Sequence, residues 1–243
     1  MTSTLVLQSH HEPLPMPWLS RCIESVARWG RRCDYDYRWL GDEFFDRVDA
    51  DLLDRTRTQT VIATDLARLE WLKAGLTDGY DCVVWCDADF LIFDAPAFTL
   101  PDTPYAIGRE VWVQRDESRW RIYNKVHNAF LMFRRGNVFL EFYADAAARL
   151  LRLNSGAKPP QFIGPKLLSA LHNVVQCPVM EKAGTLSPEV IDALVAGGGV
   201  ALDIFRSQSP MPLAGANLCA SLATNDRDAS LSRVIDLLLT GKL

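Results

Sequence analysis

The chain has 243 residues, of which 49% are hydrophobic, and its 30 acidic and 26 basic side chains give a formal net charge of −4. This composition excludes a disordered chain, and the negative balance argues against a nucleic-acid partner, because proteins that bind polyphosphates normally carry a surplus of Lys and Arg. The length predicts a single domain over residues 1–243 that buries a sizeable core without disulfides or a structural metal.

The N-terminal segment has only a three-residue apolar run with no basic region before it, and nowhere do about 18 apolar residues follow one another. We therefore expect a soluble, cytoplasmic protein. The six cysteines are scattered through the sequence without metal-ligand or disulfide spacing, so we expect buried free thiols.

The first half of the chain alternates predicted strands and helices. Residues 5–7 form a short apolar run that predicts a strand, and apolar side chains at three- and four-residue steps over 18–29 predict a helix. Residues 35–40 alternate as a second strand does, 60–75 have one apolar helical side, and 82–86 are continuously apolar, as in a strand covered on both faces. This order predicts an α/β fold with a mostly parallel sheet.

Prolines change the pattern after residue 95. We predict strands over 105–108 and 129–133 and, between them, a basic and aromatic loop over 111–127. Four helices are predicted further on: 138–153 capped by Asn137, one opening at Gly164 and Pro165, one opening at Ser187 and Pro188, and 229–239. The glycines at 197–199 are expected to end a helix and not to open one.

The sharpest feature is Asp87-Ala88-Asp89, which directly follows the predicted buried strand. Open α/β sheets bind ligands beyond the carboxyl ends of their strands, so both carboxylates lie at the expected ligand-binding edge. Their oxygen atoms suit Mg²⁺ or Mn²⁺, and such an ion on a diphosphate would stabilise the charge of a departing nucleoside diphosphate. The alternative interpretation is a solvated acidic turn.

Asp65 and Arg68 stand three residues apart on the helix before that strand, and a pair of this kind is most often a surface ion pair. Asp-x-x-Arg on a helix, a glycine-containing turn and a buried strand ending in Asp-x-Asp together resemble the sugar-nucleotide glycosyltransferases of the GT-A fold. The group that includes glucosylating toxins, polysaccharide-synthesis transferases and yeast-type mannosyltransferases is the most similar. The likeness is clear over residues 60–95 and implies a Rossmann-like three-layer sandwich.

The resemblance also implies a site. Asp87 and Asp89 would hold Mn²⁺ or Mg²⁺, with Asp89 the direct ligand, and a further metal ligand is left to Asn217 or Asp203, because no His follows His172. The residues implied for the reaction are Asp65, Arg68, Asp89 and Asn128. Those implied for nucleotide-sugar binding are Leu7, Gln8, Ser9, Trp39, Asp65, Arg68, Asp87, Ala88, Asp89 and Asn128.

The predicted loop over 111–127 interleaves aromatic and basic side chains, which pack on sugar rings and meet phosphates or carboxylates. We expect it to bind an acceptor through Trp112, Trp120 and His127, the alternative being a solvated connection. The acceptor could be a glycan, a lipid-linked sugar or a protein, and a peripheral membrane contact stays open.

Taken together, these features favour transfer of a sugar from a nucleotide-diphosphate donor, UDP-linked and with retention of configuration by the family likeness. If the configuration inverts, Asp116, Glu117 or Asp203 would have to act as the base. Two alternatives stay open. One is a phosphohydrolase of the haloacid dehalogenase type, which also places Asp-x-Asp after an apolar strand, and the other is a non-catalytic sugar-nucleotide-binding module.

Overall fold

The computed structural model describes residues 3–220 and 227–241. The strands are β1 (Thr4–Ser9), β2 (Asp36–Leu40), β3 (Cys82–Cys86), β4 (Phe90–Ile92), β5 (Tyr105–Asp116), β6 (Arg119–Arg134), β7 (Val179–Met180), β8 (Ala183–Thr185) and β9 (Gly215–Asn217). The helices are α1 (Leu19–Arg32), α2 (Ala50–Thr56), α3 (Thr60–Thr77), α4 (Phe139–Leu153), α5 (Pro165–Val175), α6 (Pro188–Val195), α7 (Val200–Gln208) and α8 (Asp228–Leu239).

A six-stranded sheet with the order β2-β1-β3-β6-β5-β7 forms the centre of the fold. The pairs β1–β2, β1–β3 and β5–β7 are parallel, whereas β6 runs antiparallel to both β3 and β5. A second sheet has three strands in the order β4-β9-β8. The predicted α/β fold with a mostly parallel central sheet is confirmed.

The central strand β3 is buried along its whole length because both faces of the sheet are covered. Val83 and Trp85 pack with α3, α4 and α5, and the alternate residues pack on the other side with α1. Burying one large apolar side chain contributes about 1.5–3 kcal/mol to the stability of the fold. These layers hold the carboxyl end of β3 in place. A third apolar cluster joins α6, α7 and α8 to the far part of β5.

The prediction of a loop over residues 111–127 is wrong, because this segment lies in the β5–β6 hairpin, which turns at Glu117 and Ser118. Val111 and Val113 point into the apolar cluster of α6, α7 and α8, and Trp112 between them points to the opposite face. Only two buried valines mark the alternation in β5, and charged residues fill much of the opposite face, so the apolar signal is weak.

The β5–β6 pairing is interrupted by a bulge. Ile107 pairs with Leu131, but the next residue of β5, Gly108, pairs with His127, so that three residues of β6 lie outside the β5 ladder. Two of these bond to the chain at the end of β3, through the Cys86–Phe130 pair and a 2.9 Å hydrogen bond from Asp87 N to the Ala129 carbonyl. The bulge therefore allows β6 to form hydrogen bonds both with the chain at the end of β3 and with β5.

The remaining helix predictions are largely confirmed. Asn137 Oδ1 accepts a hydrogen bond of 3.1 Å from Leu140 N at the start of α4, and α5, α6 and α8 begin within one residue of their predicted starts. The expectation for the glycines at 197–199 is half wrong, because they end α6 and also precede α7, which the sequence did not predict. Four of the six cysteines are buried, and Cys33 and Cys219 are half-buried.

Among the described residues, no helix has both the length and the apolar character that crossing a membrane requires.

Candidate functional site

Asp87 leaves the end of β3 with its backbone and side chain fixed by neighbouring elements. Gln8 of β1 donates from Nε2 to the Asp87 carbonyl over 3.0 Å, and Trp85 donates from Nε1 to Asp87 Oδ1 over 2.6 Å. Arg68 Nη1 of α3 lies 3.1 Å from the same oxygen. The Asp87 side chain nevertheless keeps 25% of its surface exposed, so the carboxylate is oriented by the protein and open to a ligand.

Asp89 is held from the second sheet. Asn217 Nδ2 and Ala220 N donate to the two carboxylate oxygens, each over 2.7 Å, and Leu218 N donates to the Asp89 carbonyl over 3.1 Å. Burial raises the pKa of Asp89 to about 6, and the nearby charge of Asp87 adds to this effect. The two acidic residues therefore form a fixed, electrostatically coupled pair at the end of β3.

The two candidates for a further metal ligand separate clearly. Asn217 ends β9, which pairs antiparallel with β4, and this register sets Asn217 opposite Phe90 and beside Asp89. Asp203 is exposed on α7 and forms no hydrogen bond or ion pair with Asp87 or Asp89 in the described part of the chain. The structure therefore keeps Asn217 as a candidate and corrects the assignment of Asp203.

Asp65, Arg68 and Asn128 form a buried polar cluster, so the interpretation of Asp65 and Arg68 as a surface ion pair is wrong. Asn128 Nδ2 donates to Asp65 Oδ1 over 2.7 Å, and Arg68 Nη1 donates to the Asn128 carbonyl over 2.7 Å. Arg68 Nη2 lies 3.5 Å from Asp65 Oδ1, and their side chains are only 6% and 4% exposed. Arg68 thereby links Asp65 on its own helix to Asp87 on β3.

Burial and charge oppose each other within this cluster. Burial raises the pKa of Asp65 to about 6, although Arg68 and Asn128 both favour the ionised carboxylate. Burial lowers the pKa of Arg68, but the charges of Asp87 and Asp65 outweigh it, so the guanidinium stays charged. Two buried atoms, Asp65 Oδ2 and Arg68 Nε, have no hydrogen-bond partner among the described residues. Such atoms are costly unless a ligand or water satisfies them.

Gly164, which precedes the predicted helix that opens at Pro165, closes this cluster. A Cβ atom at position 164 would overlap Asp65 Oδ2 and would stand 2.7 Å from Asn128 Nδ2. A glycine is therefore required at this position by the close approach of two side chains.

The residues expected to hold the base divide into two kinds. Leu7 and Gln8 are fully buried, and Gln8 is occupied by Tyr37 and by the Asp87 carbonyl, so their side chains support the site and do not line it. Ser9 and Trp39 are half-buried near the adjoining ends of β1 and β2, where a ligand can reach them. Ala88 is buried between the two acidic residues.

The three residues expected to bind an acceptor do not lie together. Trp120 packs against the cluster of α6, α7 and α8, on the face of the hairpin opposite Trp112. His127 is buried, with Nδ1 accepting from Ala129 N and Nε2 bonded to the Ala183 carbonyl, both over 3.1 Å, and burial lowers its pKa to about 4. His127 and Trp120 are therefore structural, and Trp112 is the member that stays accessible.

No protein-family model matches the chain, and no curated protein matches it. Among solved structures, a glycosyltransferase involved in the glycosylation of the major capsid of PBCV-1 matches 96% of this chain and 99% of its own, with a TM-score of 0.50 and 10% identity. The galactosyltransferase LgtC, in complex with donor and acceptor sugar analogues, matches 98% of this chain and 96% of its own, with a TM-score of 0.48 and 11% identity. Mouse xyloside xylosyltransferase 1 matches 92% of this chain and 99% of its own, with a TM-score of 0.45 and 9% identity.

The first of these overlaps covers almost the whole of both chains. The chain therefore has the fold of a glycosyltransferase, and the prediction of a GT-A fold is confirmed.

Proposed function

We propose that the protein is a metal-dependent glycosyltransferase that moves a sugar from a UDP-linked donor to an acceptor hydroxyl with retention of configuration. The observation that carries the proposal is the position of Arg68, which contacts both Asp65 and Asp87 at the carboxyl end of β3, two residues before Asp89. This arrangement gathers a cation, two carboxylates that suit a divalent metal and a buried polar cluster at the edge of the sheet where α/β folds bind ligands.

The acidic pair fits a divalent cation. Asp87 and Asp89 offer carboxylate oxygens, and Asn217 lies beside them, with Nδ2 donating to Asp89 and Oδ1 accepting from Cys219 N. No cluster of three or more His, Cys, Asp or Glu side chains able to hold a metal occurs in residues 3–220 and 227–241. The carboxylate oxygens of Asp87 and Asp89 suit Mg²⁺ or Mn²⁺, because these ions bind through one or two carboxylates together with substrate phosphates and water. When bound, the ion would neutralise charge on the diphosphate.

The chain's own residues support the remaining parts of the reaction. The fixed charge of Arg68 stabilises negative charge on the departing diphosphate, and it does so without reorganisation because Asp65 and Asn128 already hold it. Asp65 Oδ2 and Arg68 Nε, both buried and without partners in the described chain, would each gain a hydrogen bond if a hydroxyl group of the donor sugar entered this cluster.

Retention of configuration is supported by where the candidate bases lie. Asp116 and Glu117 stand at the turn of the hairpin, with Asp116 in an ion pair of 2.5 Å with Arg121, and Asp203 is exposed on α7. In a retaining transfer no strong base is needed, since the acceptor proton passes to an oxygen of the leaving diphosphate. The anomeric configuration of the product, read by NMR, tests this point, and a β product from an α donor would exclude retention.

The test of the whole proposal is thermal unfolding with UDP, GDP, ADP and CDP, each with and without Mn²⁺. Ligand at about 100 times its dissociation constant stabilises a folded protein by about 2.7 kcal/mol, which shifts the midpoint measurably. We expect a metal-dependent shift with UDP that Asp89→Ala abolishes and that Asp102→Ala, at an exposed aspartate, leaves intact.

Hydrolysis of the corresponding nucleotide sugar is measured on the same samples. Binding without hydrolysis or transfer would indicate a non-catalytic sugar-nucleotide-binding module. The absence of any shift from a folded sample would contradict the proposal, and phosphatase activity would then be measured.

A further inference from the structure

The far part of the β5–β6 hairpin reaches beyond the end of β3. Residue pairing between β3 and β6 stops at Cys86 and Phe130, so the rest of β6 continues past the point where Asp87 and Asp89 lie. Its partner over this length is β5 from Gly108 onwards. We call residues 108–127 the ribbon, and it borders the acidic pair.

The ribbon has two different faces. Its inner face, with Val111, Val113 and Trp120, packs against α6, α7 and α8. Its outer face is formed by alternate residues of β5 and by the residues paired with them on β6. These pairs are Glu110 with Lys125, Trp112 with Tyr123, and Gln114 with Arg121. The members on β5 and Tyr123 are half-buried, whereas Lys125 and Arg121 are exposed, so this face is open to a ligand.

Aromatic rings and polar groups alternate along the outer face. Trp112 and Tyr123 are directly opposite each other, Trp112 Nε1 donates to Gln114 Oε1 over 3.0 Å, and Lys125 Nζ lies 4.9 Å from the centre of the Tyr123 ring. The rings are therefore fixed by their neighbours. Aromatic rings held among hydrogen-bonding side chains suit sugar rings, which have apolar C–H faces and polar edges.

Glu110 lies at the end of the outer face nearest the acidic pair. It stands two residues after Gly108, which pairs with His127, and Ala129, two residues further along β6, accepts the hydrogen bond from Asp87 N. Glu110 is itself half-buried opposite Lys125. It is the first outer-face residue beyond the bulge, and it falls between the strand predicted over 105–108 and the loop predicted over 111–127.

We propose that the outer face of the ribbon is the acceptor subsite, that the acceptor is a carbohydrate whose ring stacks on Trp112 and Tyr123, and that Glu110, next to this pair, accepts a hydrogen bond from a hydroxyl group at the edge of the ring. This inference rests on the proposed glycosyltransferase function and adds the acceptor class to it. A lipid chain fits less well, since charged residues stand in the pairs on both sides of Trp112 and Tyr123 and limit the apolar surface to these two rings.

The experiment is saturation-transfer NMR with the methyl α- and β-glycosides of glucose, galactose, mannose and N-acetylglucosamine, with and without UDP and Mn²⁺. Wild-type protein binds at least one glycoside, and Trp112→Ala and Tyr123→Ala weaken that binding about tenfold or more, equal to about 1.4 kcal/mol. Glu110→Gln weakens it as well, because an accepting oxygen is replaced by a donating amide.

Two control variants separate recognition from folding. Tyr123→Phe keeps the ring and therefore keeps binding, and Asn124→Ala alters the neighbouring residue, which points to the other face, without effect. Wild-type protein that binds none of the glycosides, or Trp112→Ala and Tyr123→Ala variants that bind as wild type does, would overturn the acceptor assignment.

The nucleotide-induced shift in unfolding midpoint is measured on the same samples and distinguishes the two proposals. If the shift is present and glycoside binding is absent, only the acceptor assignment fails. If the shift is absent with every nucleotide, the proposed function fails, and the glycoside measurement without nucleotide still decides whether the ribbon binds sugars.

Discussion

Arg68 of α3 and Asp87 at the end of β3 form an ion pair with 3.1 Å between Nη1 and Oδ1, and only 6% of the arginine side chain is exposed. The same guanidinium lies 3.5 Å from Asp65. One buried cation thus holds two carboxylates from different elements, and the stability of the fold is tied to the geometry of the site.

Replacing Arg68 tests this link. Arg68→Ala leaves Asp65 without its compensating charge inside the protein, and we expect a loss of about 3–5 kcal/mol in the free energy of unfolding. Urea denaturation measures it. The control is Arg57→Ala, which removes an exposed pair with 3.9 Å to Asp54 and is expected to change stability little. Equal effects of the two variants would contradict the buried pairing.

Gly164 provides a second test, through packing. Because a Cβ atom would overlap Asp65 Oδ2 and crowd Asn128, Gly164→Ala must displace one of them, at a cost of about 1–3 kcal/mol. We also expect the loss of nucleotide-sugar hydrolysis. Gly30→Ala is the matched control, since its Cβ would meet Tyr37 Cβ at an ordinary 3.8 Å. Full activity in Gly164→Ala would show that the cluster tolerates displacement.

The raised pKa of Asp65, about 6, predicts a pH dependence of stability in metal-free protein. The folded state binds this proton more tightly than the unfolded chain does, so the stability it contributes is present below about pH 4 and is lost as the pH rises through about 6. His127 acts in the opposite direction. The pKa of His127 is lowered to about 4, so the stability that it contributes is present above about pH 6.5 and is lost as the pH falls through about 4.

A variant separates the two contributions. The asparagine in Asp65→Asn cannot bind or release a proton. The unfolding free energy of wild type minus that of Asp65→Asn should therefore decrease as the pH rises from about 4 to about 6 and stay level above that range. Urea denaturation at a series of pH values in the presence of EDTA measures it. A difference that does not change with pH would show that Asp65 keeps an ordinary pKa.

Asn217 supports Asp89, and its removal tests the proposed metal site. Residues that orient a metal ligand typically account for a 10- to 100-fold change in metal affinity, so Asn217→Ala should weaken Mn²⁺ binding by about tenfold or more. Electron paramagnetic resonance of free Mn²⁺ measures this binding directly. Asn154→Ala, at an exposed asparagine after α4, should leave the affinity unchanged. Identical affinities in the two variants would remove Asn217 from the site.

The parts of the fold that could be predicted are those that produce a periodic apolar signal. The continuous apolar run of β3 and the helical periodicity of α3 fixed the positions of Asp87, Asp89, Asp65 and Arg68 along their elements. Their convergence at the end of β3 then followed from sheet geometry and from the family resemblance, which the fold confirms.

The parts that could not be predicted depend on contacts between distant segments. Nothing local to Asn217 shows that β9 pairs with β4, and nothing local to Gly164 shows that α5 begins against Asp65. The ribbon was missed for a different reason. Its outer face mixes aromatic with charged residues and its inner face is only partly apolar, so the two faces cannot be told apart by apolar alternation.

The bulge opposite Gly108 has a consequence for how this protein can change over evolutionary time. Residues 130–134 of β6, on one side of the bulge, pair with β3. Residues 119–127, on its other side, pair with β5 alone. Equal additions to both strands at the tip would lengthen the ribbon and leave the end of the sheet at Asp87 and Asp89 untouched. A single residue added to one strand would exchange the two faces beyond it, and would place Trp112 or Tyr123 in the core. The length of the ribbon can therefore change far more easily than the register between its two strands.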